Sequence, residues 1–251
     1  MITVKGQKTL VLKDSGANSA GSITSNGTVA QAIEGATIKI ESGKYKSTGS
    51  NAFWAGSKID TGHIIIDDAE VEAQECAVCF GKDSNVTING GTFTTSDNSV
   101  VSGNGTAGAG GSIVVINNGQ FNGHIQSTGW TGCGVYMPND GSLTINGGEF
   151  NVDGVGVCAR AGKVEIKGGT FNSTSTREGW VGDKKTAVPA HGVVYDGAAN
   201  YPGLANGENS LAITGGTYTN SAEPTMAGVK VTQPTNGYTV TAQTGDWTVA
   251  E

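Results

Sequence analysis

The chain has 251 residues, 15 Lys plus Arg against 22 Asp plus Glu, and a formal charge of -7, with no basic stripe to hold nucleic acid or an anionic membrane surface. Glycine reaches 41 residues, well above the roughly 7 % of average proteins, but without the three-residue period of collagen. Short aliphatic, Thr and aromatic runs recur throughout, which excludes a disordered chain, and no run approaches the roughly 18 apolar residues of a membrane helix.

Residues 1–37 read as an N-terminal cap and first coil. They contain LVL at 10–12 and VAQAIEG at 29–35, the latter with the composition of a short capping helix. The start, MITVKGQKTLVLKDSG, lacks the apolar stretch of a secretory signal.

From 38 to 228 one line is written repeatedly: IKIESGKYKS at 38–47, IIIDDAEVEA at 64–73, VTINGGTFT at 86–94, VVINNGQFNG at 114–123, LTINGGEFNV at 143–152, VEIKGGTFNS at 164–173 and LAITGGTYTN at 211–220. Each copy alternates apolar and polar residues, placing its aliphatic side chains on one face of a strand. A Gly-Gly or Asn-Gly corner follows, where glycine accepts positive φ, and an aromatic stands two residues beyond. A third run lies between each aromatic and the next copy: NAFWAG at 51–56, CAVCFG at 76–81, SVVSG at 99–103, CGVYMP at 133–138, VGVCARAG at 155–162, HGVVYDG at 191–197 and AGVKV at 227–231.

The slot after the corner holds Tyr45, Val71, Phe93, Phe121, Phe150, Phe171 and Tyr218. Successive members are 21 to 29 residues apart except for a last gap of 47, which fits one coil with a long insertion or two coils. Three strands per period predict an all-β, right-handed, single-stranded parallel β-helix of about 8–10 coils, forming one domain. The insertion is expected at 173–190, and residues 229–251 are expected to cap the far end.

Stacking puts like residues above like at about 4.8 Å. Tyr45, Phe93, Phe121, Phe150, Phe171 and Tyr218 are therefore expected in an internal stack, and Asn89, Asn117 and Asn146 in an amide ladder beside the corner. Aligning the third runs puts Cys76 with Cys133, and Cys79 with Tyr136 and Cys158. The thiols are expected to fill small apolar slots, with Cys76 and Cys133 too far apart for a disulfide because another coil intervenes.

The stretch TVAQAIEGATIKIESGKY at 28–45 resembles the opening coil of pectate-lyase-like β-helices and phage tailspikes. The NGGTF corners resemble β-helical surface and phage proteins of gut-type Gram-positive bacteria. The resemblance implies carbohydrate contact, catalytic or adhesive, on the outer face, and a trimer as the assembly.

Catalytic groups do not assemble in the pattern. Asp67 and Asp68 lie about five coils from the His191-Gly192 pair, some 25 Å at the rung spacing, whereas paired glycosidase carboxylates stand about 5–9.5 Å apart. His63, His124 and His191 are dispersed, with no zinc or triad spacing. Arg160, Asp153, Glu149 and Glu165 read as a solvated charged face. No catalytic residue, metal or cofactor is assigned.

Binding residues are expected among the aromatic and cationic groups of the loops: Trp180 and Arg177 in the insertion, Tyr201 in AANYPGLANGEN, and Trp54, Trp130 and Tyr136 elsewhere. With Met1 as the natural start, the expectation is a non-enzymatic structural and adhesive protein. It is placed on a phage virion as a head-decoration or tail-fibre component, with surface carbohydrate or other virion proteins as partners. The alternatives are a bacterial cell-surface or secreted adhesin module, and a polysaccharide lyase or glycosidase.

Overall fold

The computed structural model describes residues 1–16, 21–57, 59–104, 110–124, 132–138, 140–159, 162–173, 179–181, 186–188, 193–195, 210–220, 229–231, 239–241 and 248–249, with side chains described to 172 and over 211–217. Every regular element among them is a strand. The strands assemble into three nine-stranded sheets in which neighbours are one coil apart in sequence, the arrangement of a parallel β-solenoid.

The first coil shows the plan: Ile2–Lys5 opens the first sheet, Thr9–Leu12 the second and Ser22–Ser25 the third. The next coil lays Ala30–Ile33, Ala36–Ile40 and Lys44–Ser47 beside them in parallel register. The VxI copies build the second sheet, and the aromatic runs build the third. The runs beginning with NAFWAG build the first.

The expected capping helix at VAQAIEG is instead the strand Ala30–Ile33, paired on both sides, with Ile2–Lys5 and with Phe53–Ala55. Ala30 and Ala32 point into the core and are fully buried, while Gln31 and Ile33 are half-buried. The weak helix preference of Ala and Gln is outweighed by two hydrogen-bonded ladders. A corner at Glu34 and Gly35, both with positive φ, then starts the next strand.

The 47-residue gap is one coil. Thr170–Ser173 pairs directly with Gly216–Asn220, and Lys163–Ile166 with Ser210–Ile213. Between them Gly179–Val181 and Thr186–Val188 form an antiparallel hairpin outside the three sheets. In the tail, Val229–Val231 and Thr239–Thr241 continue the first and second sheets in parallel, but Thr248–Val249 joins the third sheet antiparallel to Gly216–Asn220.

The core is one column along the axis. Ile38, Ile64, Val86, Val114, Leu143, Val164 and Leu211 form one inward row of the second sheet, and Ile40, Ile66, Ile88, Ile116, Ile145, Ile166 and Ile213 form the other; each side chain is at most 2 % exposed. The expected aromatic stack runs through Phe93, Phe121, Phe150 and Phe171, with centroids 5.1, 4.6 and 4.7 Å apart and planes within 8° of parallel. Those separations match the rung spacing, because in-register backbones repeat one rotamer. Burying each ring contributes about 1.5–3 kcal/mol.

Tyr45 occupies the same column but lies outside the ring stack, because Val71 separates it from Phe93. Its ring meets Phe53 edge-on at 5.2 Å and 68°. Its hydroxyl donates to the Ser42 carbonyl, 2.8 Å away. Tyr218 is in register with Phe171, and its side chain lies outside the described residues.

Candidate functional site

The outward residues of the third sheet form two axial rows. One holds Lys44, Glu70, Thr92, Gln120, Glu149 and Thr170; the other holds Lys46, Glu72, Thr94, Asn122, Asn151 and Asn172. Period-two alternation places them outside because the Phe column between them points in. The wall changes character along its length. Lys44 pairs with Glu70 and Lys46 with Glu72, and hydrogen bonding to Glu70 raises the Lys44 ammonium above its ordinary value.

Beyond these pairs the rows are hydroxyls and amides, with Glu149 as the one carboxylate. Asn122 Nδ2 donates to Thr94 Oγ1 at 3.4 Å, and Asn172 Nδ2 to Asn151 Oδ1 at 2.8 Å. Asn151 Nδ2 donates to Glu149 Oε1 at 3.1 Å.

At the edge of this wall the glycine corners leave an open groove of about 540 Å³ running across coils, with Glu149, Lys167, Thr170, Thr214 and Thr217 on its flanks. A second hollow of about 310 Å³ lies nearer the N-terminus against Lys44, Asp68, Glu70, Glu72, Thr92 and Thr94. The corners are bare because stacking leaves no room for a β-carbon. One built on Gly168 would come 2.6 Å from the Asn146 carbonyl oxygen of the preceding coil.

The expected amide ladder flanks the corner on the second-sheet side. Asn146 Nδ2 donates to Asn117 Oδ1 and Asn117 Nδ2 to Asn89 Oδ1, both at 2.8 Å. The ladder ends on a residue not foreseen in it: Asn89 Nδ2 donates to Asp67 Oδ1 at 2.9 Å. Lys39 bridges Asp67 and Glu41, and Lys13 reaches Glu41. Every amide donates toward the N-terminus, so an acceptor-only carboxylate suits the last position. The Asn89 amide and then Lys39 hold Asp67 below its ordinary value, and Lys39 and Lys13 do the same for Glu41.

Of the residues expected to bind, Trp54 and Tyr136 are half-buried on the outward face of the first sheet, with Cys79 between them in register. The Trp54 indole N–H is buried without a hydrogen-bond partner, so it offers no donor to a ligand. Trp180 lies on the hairpin strand Gly179–Val181 opposite Ala187, its side chain outside the described residues. Arg177, Tyr201 and Trp130 fall outside them altogether, as do Arg160 and His191. The described aromatics therefore do not converge with the third-sheet wall.

The cysteine register is as expected: Cys79, Ser102, Tyr136 and Cys158 share a column. That column faces outward rather than into the core, which is lined by Val78, Val101, Val135 and Val157. Cys133, Val155 and Cys158 with Tyr136 make a separate small apolar cluster. All four cysteines are buried and none is in a disulfide, and burial pushes Cys76 up to about 12 and Cys79 well above its ordinary value.

Among the described residues no three His, Cys, Asp or Glu side chains converge as a metal site. Asp140 is the described carboxyl raised by burial, with Oδ1 buried and unpartnered. Of the charge cluster read from the sequence, Glu165 pairs with Lys167 and Asp153 with His124.

The third-sheet wall was missed in the sequence, although its signal is there: the residues flanking each aromatic in TFT, QFN, EFN and TFN. Compared with family profiles, curated proteins and solved structures, the chain matches none.

Proposed function

We propose that the chain is a non-enzymatic structural and adhesive protein of the tailspike-like kind, a phage virion component of head-decoration or tail-fibre type that presents a contact wall to carbohydrate or protein. The observation that carries the reading is the pair of axial rows Thr92, Gln120, Glu149, Thr170 and Thr94, Asn122, Asn151, Asn172 beside the glycine-floored groove. Donors and acceptors repeat there at the rung spacing of about 4.8 Å, comparable to the length of one pyranose unit. An extended polysaccharide along the axis meets a hydrogen-bonding side chain at each step. Asp14, Glu41 and Asp67 are held below their ordinary values by hydrogen-bond donors, the reverse of the raised value a general acid needs.

Affinity electrophoresis through gels containing capsular, teichoic and pectic polymers tests this. Retardation by one polymer, weakened by Asn122→Ala with Asn151→Ala, is the expected result; migration unchanged in every polymer removes the carbohydrate reading. Electron microscopy of particles labelled with antibody to the chain separates a virion position from a bacterial-surface or secreted one.

A lyase or glycosidase is the second reading, and Asp140 is what favours it, being a half-buried carboxyl raised by that burial, with Oδ1 shielded from solvent. Release of reducing ends or unsaturated sugars from the same polymers, abolished by Asp140→Asn, would establish it.

A further inference from the structure

Five Asn-Gly steps lie wholly within the described residues: Asn26-Gly27, Asn89-Gly90, Asn118-Gly119, Asn122-Gly123 and Asn146-Gly147. Such a step can react with itself, because glycine has no side chain to shield its backbone nitrogen from the carboxamide before it. The reaction needs an Asn side chain free to swing its Cγ onto that nitrogen, and a glycine N–H that is not already donating a hydrogen bond.

Four of the five steps are guarded. The Gly27 N–H donates to Ser25 Oγ at 3.2 Å, and Asn26 Oδ1 accepts from Thr48 Oγ1 at 3.4 Å. Gly123 lies inside the strand Gln120–Gly123, paired on both sides, and Asn122 Nδ2 donates to Thr94. Asn89 and Asn146 are pinned by the amide ladder. Asn89 donates to Asp67 and accepts from Asn117, and Asn146 donates to Asn117.

The Asn118-Gly119 step has neither guard. Its corner is the place where the repeat reads Asn-Asn-Gly, so Asn117 takes the ladder position and Asn118 is left beside it. Among the described residues Asn118 has no side-chain hydrogen-bond partner and the Gly119 N–H has no acceptor. The backbone bonds on either side are Asn117 N–H to the Ile88 carbonyl and Gln120 N–H to the Gly91 carbonyl. Exposure does not separate Asn118 from Asn26, Asn89 and Asn146, which all face solvent; hydrogen bonding does.

We propose that Asn118 is a site of self-modification, converting to aspartate and isoaspartate in the folded chain, and that the Asn ladder is what spares Asn89 and Asn146. The Gly119 nitrogen bonds to Asn118 Cγ as the Cγ–Nδ2 bond breaks. Nδ2 departs as ammonia with the proton that Gly119 gives up, leaving a five-membered succinimide. Water then opens the ring at either carbonyl, and no enzyme or oxidant takes part. The product places a new carboxylate on the wall of the groove that Asn118 lines with Glu149 and Lys167. The isoaspartate form also lengthens the backbone by one carbon between two ladder bonds.

Peptide mapping of the native chain, held at mildly alkaline pH and digested at intervals, reads the result. Each site is followed by the mass gain of amide-to-acid conversion, and isoaspartate by labelling with a carboxyl methyltransferase. Asn118 is expected to convert first, about tenfold or more faster than Asn89, which must break two hydrogen bonds to react. In denaturant the five rates are expected to converge. A native Asn118 that stays unconverted, or that reacts no faster than Asn89, overturns the proposal. Asn117→Ala takes a partner from both Asn89 and Asn146, so their conversion is expected to rise relative to that of Asn26; an unchanged ratio overturns the ladder's part. Should that variant unfold, the native chain decides the same point: Asn146, held by one bond, is expected to convert faster than Asn89, held by two, and the reverse order overturns it.

Discussion

The ring of Phe121 closes over the α-carbon of Gly119: a β-carbon built on that glycine would lie 3.2 Å from both Cε2 and Cζ of the ring. Gly119 also sits at φ 132°, where other residues are strained. Gly169 stands in the same relation to Phe171, at 3.2 and 3.3 Å. In the coil where the corner residue is Ala69, the slot two residues on is Val71, and the line of rings stops there. Corner glycine and aromatic thus form one packing unit, with the glycine serving the ring as much as the turn.

Gly119→Ala is expected to destabilise the chain by about 1–3 kcal/mol through the strained backbone and the displaced ring. Adding Phe121→Val, which copies the Ala69 and Val71 coil, should cost less than the sum of the two single changes by about 0.5 kcal/mol or more. Denaturant midpoints of the four proteins in the cycle measure the coupling, and strict additivity would show that ring and corner are independent.

Phe150 packs between Phe121 and Phe171 at 4.6 and 4.7 Å and is fully buried. Phe150→Ala is expected to cost about 3–5 kcal/mol, since neighbouring coils fixed by their ladders cannot collapse into the cavity. Phe150→Leu should cost less. Equal losses on urea unfolding would mean that cavity volume does not set the penalty.

Asn117 both donates and accepts within the ladder, each bond at 2.8 Å. Each net hydrogen bond contributes about 0.5–1.5 kcal/mol, so Asn117→Ala should destabilise more than Asn146→Ala, which removes the terminal donor alone. Thermal unfolding of the two variants compares them directly.

Asp67 and Glu41 titrate below their ordinary values of 3.8 and 4.5 when folded. Their contribution is therefore fully present above the unfolded values and is lost as pH falls through the folded ones, at the acid end below about pH 4. Asp67→Asn should flatten the acid limb of a stability-versus-pH curve. An unaltered limb would assign the acid loss to other groups.

The four cysteines are buried and form no disulfide, with Cys76 pushed up to about 12. A thiol reagent at neutral pH should leave the native chain unlabelled and modify all four after unfolding. Rapid native labelling, read by intact mass, would place a thiolate at the surface.

Much of the solenoid was legible in single residues. Ile88, Gly91 and Phe93 recur as Ile116, Gly119 and Phe121, and each lands on its copy one coil away. The ladder at Asn89, Asn117 and Asn146 follows from the same repeat. The contact wall was legible only in part, because Thr94, Asn122 and Asn151 differ in type while sharing a position, and a search for aromatic side chains passes over them.

In a solenoid the neighbour across the ladder is the previous copy of the same line, so a local pattern is already a tertiary one. That is why the amino-acid sequence alone determined the strands, the corners and their register. Tertiary structure decided what depends on contacts between unlike segments. Ala30–Ile33 became a strand because Ile2–Lys5 and Phe53–Ala55 hold it from both sides. The 47-residue gap became one coil because Thr170–Ser173 meets Gly216–Asn220. Each outcome was settled by a competing partner far away in the chain, which no local periodicity records.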